Sequence, residues 1–226
     1  MLRQLLRSKR TFVFLGESGS RKSEMSIFFA QKLLEYTGKT IWLIDMDQTK
    51  GMFRSRDWKN QIENERIQVC CGEHFMDMPL VPHGMVQKLE NKDAIKILDV
   101  GGNEAGAVVL GQFSQWLNAE DCIVFYLINP YRNFSGSQDN ILFFMDRIRN
   151  AGRIQNVHII SNPNLGKSTQ EEDVINGQRM LEKMLSGTGY QIEALMIPNW
   201  VDEALFSNWK LPVYSFKPQI QFLSDG

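Results

Sequence analysis

Residues 12–33 read FVFLGESGSRKSEMSIFFAQKL, and the fold turns on how this stretch divides. Its first part, with Thr11, is a short β-branched and aromatic run of strand type. Its last part sets Met25, Phe28, Phe29, Leu33 and then Tyr36 at helical spacing, with Gly38 as the stop. Between the two lies Gly16, then five residues, then Lys22-Ser23. That order turns successive backbone N–H groups and a helix N-terminus onto phosphate oxygens. Gly16 and Gly19 permit the tight turn, and Glu17, Ser18, Ser20, Arg21 and Glu24 complete the cradle. Lys22 then reaches the terminal phosphates and the Ser23 hydroxyl holds Mg²⁺. Arg21 occupies the place where such loops carry glycine, so its side chain either leaves the crowded mouth or brings its own charge to the phosphates.

A second stretch, SNPNLGKST at 161–169, also has a strand before it, a helix after it and an intact Gly166-Lys167-Ser168. It has Ser161 in place of the leading glycine, and Pro163 removes a backbone donor. The phosphates are therefore assigned to the first loop.

Apolar runs recur at 11–15, 40–44, 67–70, 95–100, 122–128, 157–161 and 192–197. Several are near-continuous, as in strands buried on both faces of a parallel sheet. Helical patterns intervene, clearest after the loop and weaker at 139–148 and 173–185. The alternation predicts an α/β fold: a mostly parallel sheet of about seven strands with helices on both faces, in one domain spanning 1–226. The stretch from 50 to 82 is the least regular and is the place expected for an insertion or switch.

Bulk properties are those of an ordinary globular chain: 226 residues, 43% hydrophobic, 23% charged, formal charge −1. Nothing here suggests a nucleic-acid-coating protein. No apolar run approaches the roughly 20 residues of a membrane span, and the start MLRQLLRSKR lacks a cleavable leader pattern. Leu2, Leu5 and Leu6 among Arg3, Arg7, Lys9 and Arg10 read as a short capping helix rather than a membrane anchor. Three cysteines, Cys70, Cys71 and Cys122, form no disulfide framework, and a cytoplasmic location is expected.

A phosphate loop needs acids at neighbouring strand ends to hold Mg²⁺ and orient water. IWLIDMD supplies Asp45 and Asp47 just past one strand; IKILDVGG supplies Asp99, followed by Gly101 and Gly102 in a turn suited to sensing a terminal phosphate. Asn162 follows a late strand, where its amide either reads a purine edge or shapes a turn before Pro163.

The loop, LIDMD, ILDVGG, SNPN and IPNW, in that order, resemble the MinD/ParA/CobQ-type ATPases of the SIMIBI class of P-loop proteins, and more closely a bacterial branch of MinD-like ATP-binding proteins. The resemblance covers about residues 11–216. It implies ATP or ADP with Mg²⁺ as cofactors, Lys22 and Ser23 on phosphate and metal, Asp47 positioning the attacking water, Asp99 as the Walker B acid and Asn162 at adenine. It also implies a nucleotide-dependent homodimer and a protein partner; from the bulk charge and the lack of long apolar runs, no nucleic acid or membrane is expected. Two positions depart from the pattern: Glu17 stands where the family's signature lysine reaches across the dimer, and Arg21 replaces the closing glycine.

Other constellations are weaker. Cys70, Cys71 and His74 lack a second ligand pair for a metal. Arg54 and Arg56 suit either a docking switch or an exposed loop; Tyr131, Arg132 and Phe134 either approach the nucleotide or cap a helix. The scattered Trp and Phe residues read as core. Three functions fit: an ATP-dependent switch with slow ATPase activity acting on a protein or a cofactor-maturation step, a degenerate loop that binds without turnover, or a small-molecule kinase or ligase.

Overall fold

The computed structural model describes residues 2–47, 59–71, 84–102 and 104–218. Arg54, Arg56 and His74 lie outside the described residues. The apolar runs form β1 (Thr11–Leu15), β2 (Ile41–Met46), β3 (Ile67–Cys71), β4 (Ile95–Val100), β5 (Cys122–Ile128), β6 (His158–Ser161) and β7 (Ile192–Pro198). An eighth strand, β8 (Val213–Phe216), extends the count beyond the expected seven. All pairings are parallel, in the order β3-β2-β4-β1-β5-β6-β7-β8. The helices are α1 (Leu2–Ser8), α2 (Lys22–Leu33), α3 (Lys59–Ile62), α4 (Met85–Glu90), α5 (Glu104–Leu110), α6 (Ser114–Leu117), α7 (Gln138–Gly152) and α8 (Glu171–Leu185).

Because side chains alternate along a strand, each central strand feeds two cores. Phe12 and Phe14 of β1, Ile41 and Leu43 of β2, and Ile97 of β4 pack with Met25, Phe29 and Leu33 of α2. Val13, Leu15, Ile44, Leu98 and Val100 point the other way, onto Ala107, Leu110, Met145 and Ile148 of α5 and α7. Phe14 anchors the first core, with ring centroids 4.8 Å from Phe29 and 5.5 Å from Phe125. Complete burial of one such ring contributes about 1.5–3 kcal/mol. Leu5 and Leu6 of α1 lie against the same core, so the N-terminal helix does cap it.

The same alternation decides where the acids point. Asp99 shares the parity of Ile95 and Ile97, and Asp45 that of Ile41 and Leu43, so both lie on the face that carries α2. Asp45 is inside β2, not past its end as the sequence suggested, because pairing with β3 and β4 extends that strand to Met46. From β1 the chain crosses to β2 on one side of β4; from β4 it crosses over β1 to β5. The strand order thus diverges around β1 and β4, the arrangement that opens a crevice at their carboxyl ends. Among the described residues no helix is long and apolar enough to cross a membrane.

Candidate functional site

The loop at 16–23 leaves the end of β1 and enters α2 directly. Gly16 has φ 138°, and a Cβ there would lie 2.4 Å from the Leu127 carbonyl oxygen of β5, so only glycine fits. Gly19 follows at φ 79° and Arg21 at φ 68°, ψ 37°. Arg21 therefore takes up a left-handed conformation, one that glycine adopts without strain. Holding a residue with a Cβ there costs about 1–2 kcal/mol, and the side chain is held in a buried ion pair. Arg21 Nη1 lies 2.5 Å from Glu24 Oε2, with the two side chains only 7% and 1% exposed. Of the two outcomes open to Arg21, this structure shows the guanidinium turned aside to Glu24, one turn into α2.

Lys22 is buried, and its ammonium donates to the Glu17 carbonyl across the loop at 3.0 Å. Burial pulls its pKa down, while the carboxylates of Asp99, Asp47 and Glu17 act to raise it. One ammonium thus faces three acids. Glu17, half-buried, has its own pKa raised by burial against the opposing pull of Lys22, the Ser18 N–H and Arg147. Asp99 is fully buried at the end of β4; Asp47 follows β2, and its backbone N–H donates to Asp45 Oδ1 at 2.9 Å. Ser23 sits half-buried in the first turn of α2.

The turn after β4 closes the site. A Cβ on Gly101 would lie 2.9 Å from Asp47 Oδ1, and one on Gly102 would lie 2.8 Å from both Lys22 Nζ and the Ser18 backbone nitrogen. Gly102 is thus pressed against the cradle's working face. Behind it, a Cβ on Gly106 in α5 would come 3.2 Å from the Gly101 carbonyl, and one on Gly111, just past α5, 2.8 Å from the Ala151 carbonyl of α7. Turn, α5 and α7 are in near backbone contact.

Asn162 lies beneath the loop. It is fully buried and its Nδ2 donates to the Ser20 carbonyl at 3.0 Å, so the observed task of this amide is to brace the cradle. Ser20 Oγ, Ser161 Oγ and Asn162 Oδ1 are buried beside it without a hydrogen-bond partner among the described residues. The second Gly-Lys-Ser is not a cradle. Gly166 N–H donates to Asn164 Oδ1 and Leu165 N–H to Thr169 Oγ1, so the donors are already occupied within a short 3₁₀ turn, Gly166–Ser168.

Sequence reasoning left Arg132 between two roles, and the structure places it at the loop. A Cβ on Gly19 would lie 3.0 Å from Arg132 Nε and 3.3 Å from its Cζ. Ser18, Gly19, Tyr131, Arg132, Asn133 and Phe134 line a recess of about 270 Å³ there. Cys70 and Cys71 are free at the end of β3. Among the described residues no three His, Cys, Asp or Glu side chains converge to hold a metal by themselves.

These residues fit a nucleoside polyphosphate with Mg²⁺: a glycine-type cradle, a buried lysine inside it, and Ser23, Asp47 and Asp99 around it. Mg²⁺ ordinarily binds through one or two carboxylates together with phosphate oxygens, which matches such a partial ligand set.

No family model matches the chain, and no curated protein does. Solved structures do. The cell division protein FtsY of Thermotoga maritima aligns over 84% of this chain and 62% of its own, with TM-score 0.54 and 14% identity. The signal recognition particle 54 kDa protein of Aeropyrum pernix K1, solved in complex with GDP, aligns over 83% and 41%, with TM-score 0.54 and 16% identity. A ParA family ATPase of Chlorobium tepidum TLS aligns over 84% of both chains, with TM-score 0.51 and 12% identity. The chain spans less than two thirds of the first two. The likeness is one of fold: these proteins share the parallel α/β sheet with flanking helices.

Proposed function

We propose that the chain is a nucleotide-dependent switch that binds ATP with Mg²⁺, hydrolyses it slowly, and acts through its nucleotide state on a protein partner or a cofactor-maturation step. One observation carries the reading: Gly102 rests against Lys22 Nζ with less than a methyl group's room between them. A terminal phosphate held by Lys22 would therefore be sensed by the Gly101-Gly102 turn beside it, which couples nucleotide state to the position of that turn. In this reading Lys22, the loop N–H groups and Gly102 bind phosphate, and Ser23 and Asp99 hold the metal, Asp99 through its water. Asp47, against Gly101, orients the attacking water. Mg²⁺ offsets the charge that develops on the transferred phosphoryl oxygens.

The left-handed conformation of Arg21 supports retained binding over a degenerate loop, because it is a backbone shape that a glycine at this position could also adopt. A homodimer that forms on nucleotide belongs to the same proposal, although Glu17 in place of the signature lysine means that any partner subunit is engaged by different charges. The test is calorimetric titration of the protein with ATP, ADP and GTP, with and without Mg²⁺, alongside Lys22→Ala. Binding that requires Lys22 and favours ATP supports the assignment; an unchanged ATP affinity in Lys22→Ala refutes it.

A further inference from the structure

We infer that Arg132 is a second phosphate-binding cation of the loop, supplied from within the same chain and directed to the terminal phosphate of a nucleoside triphosphate. This rests on the nucleotide-site reading above and adds a residue to it.

The need for such a group is electrostatic. Lys22 is surrounded by Asp99, Asp47 and Glu17, and Arg21 is turned toward Glu24. The carboxylates offset the charge of Lys22, so a polyphosphate held by the loop N–H groups gains from further positive charge at the mouth. Mg²⁺ supplies part of it. Arg132 is a cation standing at the mouth: its guanidinium lies against Gly19, where a Cβ would come 3.0 Å from Nε. The adjoining Ser18 nitrogen is the group that Gly102 approaches together with Lys22 Nζ. Arg132 therefore borders the same part of the loop that Lys22 serves.

Its backbone is fixed and its side chain is available. Arg132 N–H donates to the Asn129 carbonyl at 3.1 Å, and the Arg132 carbonyl accepts from Ser135 N–H at 2.8 Å. Asn129, buried at the end of β5, accepts from the N–H groups of Tyr131 and Asn164 and donates to the Asn164 carbonyl. Tyr131 Oη donates to the Asp173 carbonyl of α8 at 2.6 Å. Held on this frame, the exposed Arg132 guanidinium makes no hydrogen bond or ion pair with any described residue. A planar fork that loses no protein partner on meeting an anion is well suited to bidentate phosphate binding.

The experiment is calorimetry of the wild type, Arg132→Gln and Arg132→Lys with Mg²⁺-ATP and Mg²⁺-ADP, plus thermal unfolding without nucleotide. Arg132→Gln is expected to raise the Kd for ATP about tenfold and that for ADP less than about threefold, with Arg132→Lys recovering part of the loss. Ligand-free melting is expected to be unchanged. Wild-type ATP affinity in Arg132→Gln overturns this inference while leaving the nucleotide site standing. An equal loss for ATP and ADP removes the assignment to the terminal phosphate, and a large drop in ligand-free melting reveals a structural arginine instead. A wild type that binds neither nucleotide sinks both readings together.

Discussion

Restoring the glycine that phosphate loops ordinarily carry should damage this protein. In Arg21→Gly the left-handed residue loses its Cβ, a relief of about 1–2 kcal/mol. Glycine's freer unfolded chain takes back about 0.5–1 kcal/mol of that. The larger effect lies at Glu24, whose carboxylate is 1% exposed and bonded at 2.5 Å to the guanidinium being removed. Deleting one member of a buried ion pair typically costs about 3–5 kcal/mol, because the remaining charge stays desolvated while losing that attraction. The net expectation is destabilisation by about 2–4 kcal/mol, or a melting temperature roughly 5–12 °C lower for a domain of this size. Urea unfolding and thermal scans of the ligand-free protein read this directly. The double variant Arg21→Gly/Glu24→Gln should regain most of the loss, since a neutral amide tolerates the site. An Arg21→Gly protein as stable as the wild type, or more so, would refute the idea that the ion pair sustains the loop.

Other perturbations probe the remaining parts. Asp47→Asn should leave ATP affinity within about threefold and slow phosphate release at least about tenfold, as followed by a coupled phosphate assay. Gly102→Ala places a methyl carbon 2.8 Å from both Lys22 Nζ and the Ser18 nitrogen; overpacking of about 1–3 kcal/mol and weaker ATP binding should appear in melting and calorimetry. Asn162→Ala strips the donor from the Ser20 carbonyl, an expected loss of about 1–3 kcal/mol, visible in denaturant titration. Burial pushes the Cys122 thiol up to about 12. It therefore stays protonated at pH 8, and iodoacetamide should label exposed Cys71 in the native protein while Cys122 reacts only after unfolding, as peptide mass spectrometry will report.

The central strands were legible because burial on both faces writes an unbroken apolar run, and the Gly16 to Ser23 spacing placed the loop correctly among them. β8 escaped notice for the converse reason: four residues at the sheet edge, mostly half-buried, carry little periodic signal. The end of β2 was drawn short because Asp45 looks like a terminator, whereas ladder pairing with Cys71 and Asp99 carries the strand through it. Arg21 could not be resolved in advance, since its outcome depends on a backbone dihedral and on a glutamate three residues away. Asn162 and Arg132 illustrate a further limit. Each is far in sequence from the loop it touches, and only the adjacency of β1, β5 and β6 brings them there.

The glycines at 101, 106 and 111 have a mechanical consequence. Where side chains interdigitate, a push of an ångström can be absorbed by rotamers swinging out of the way. Main chain resting on main chain offers no such cushion. A displacement of residue 101 would press on Gly106 of α5, and the chain just past α5 meets α7 through Gly111. That second helix bears Phe143, 56% exposed on its outer side, so under the proposed switch this ring is the surface group on which a change at the loop would be read.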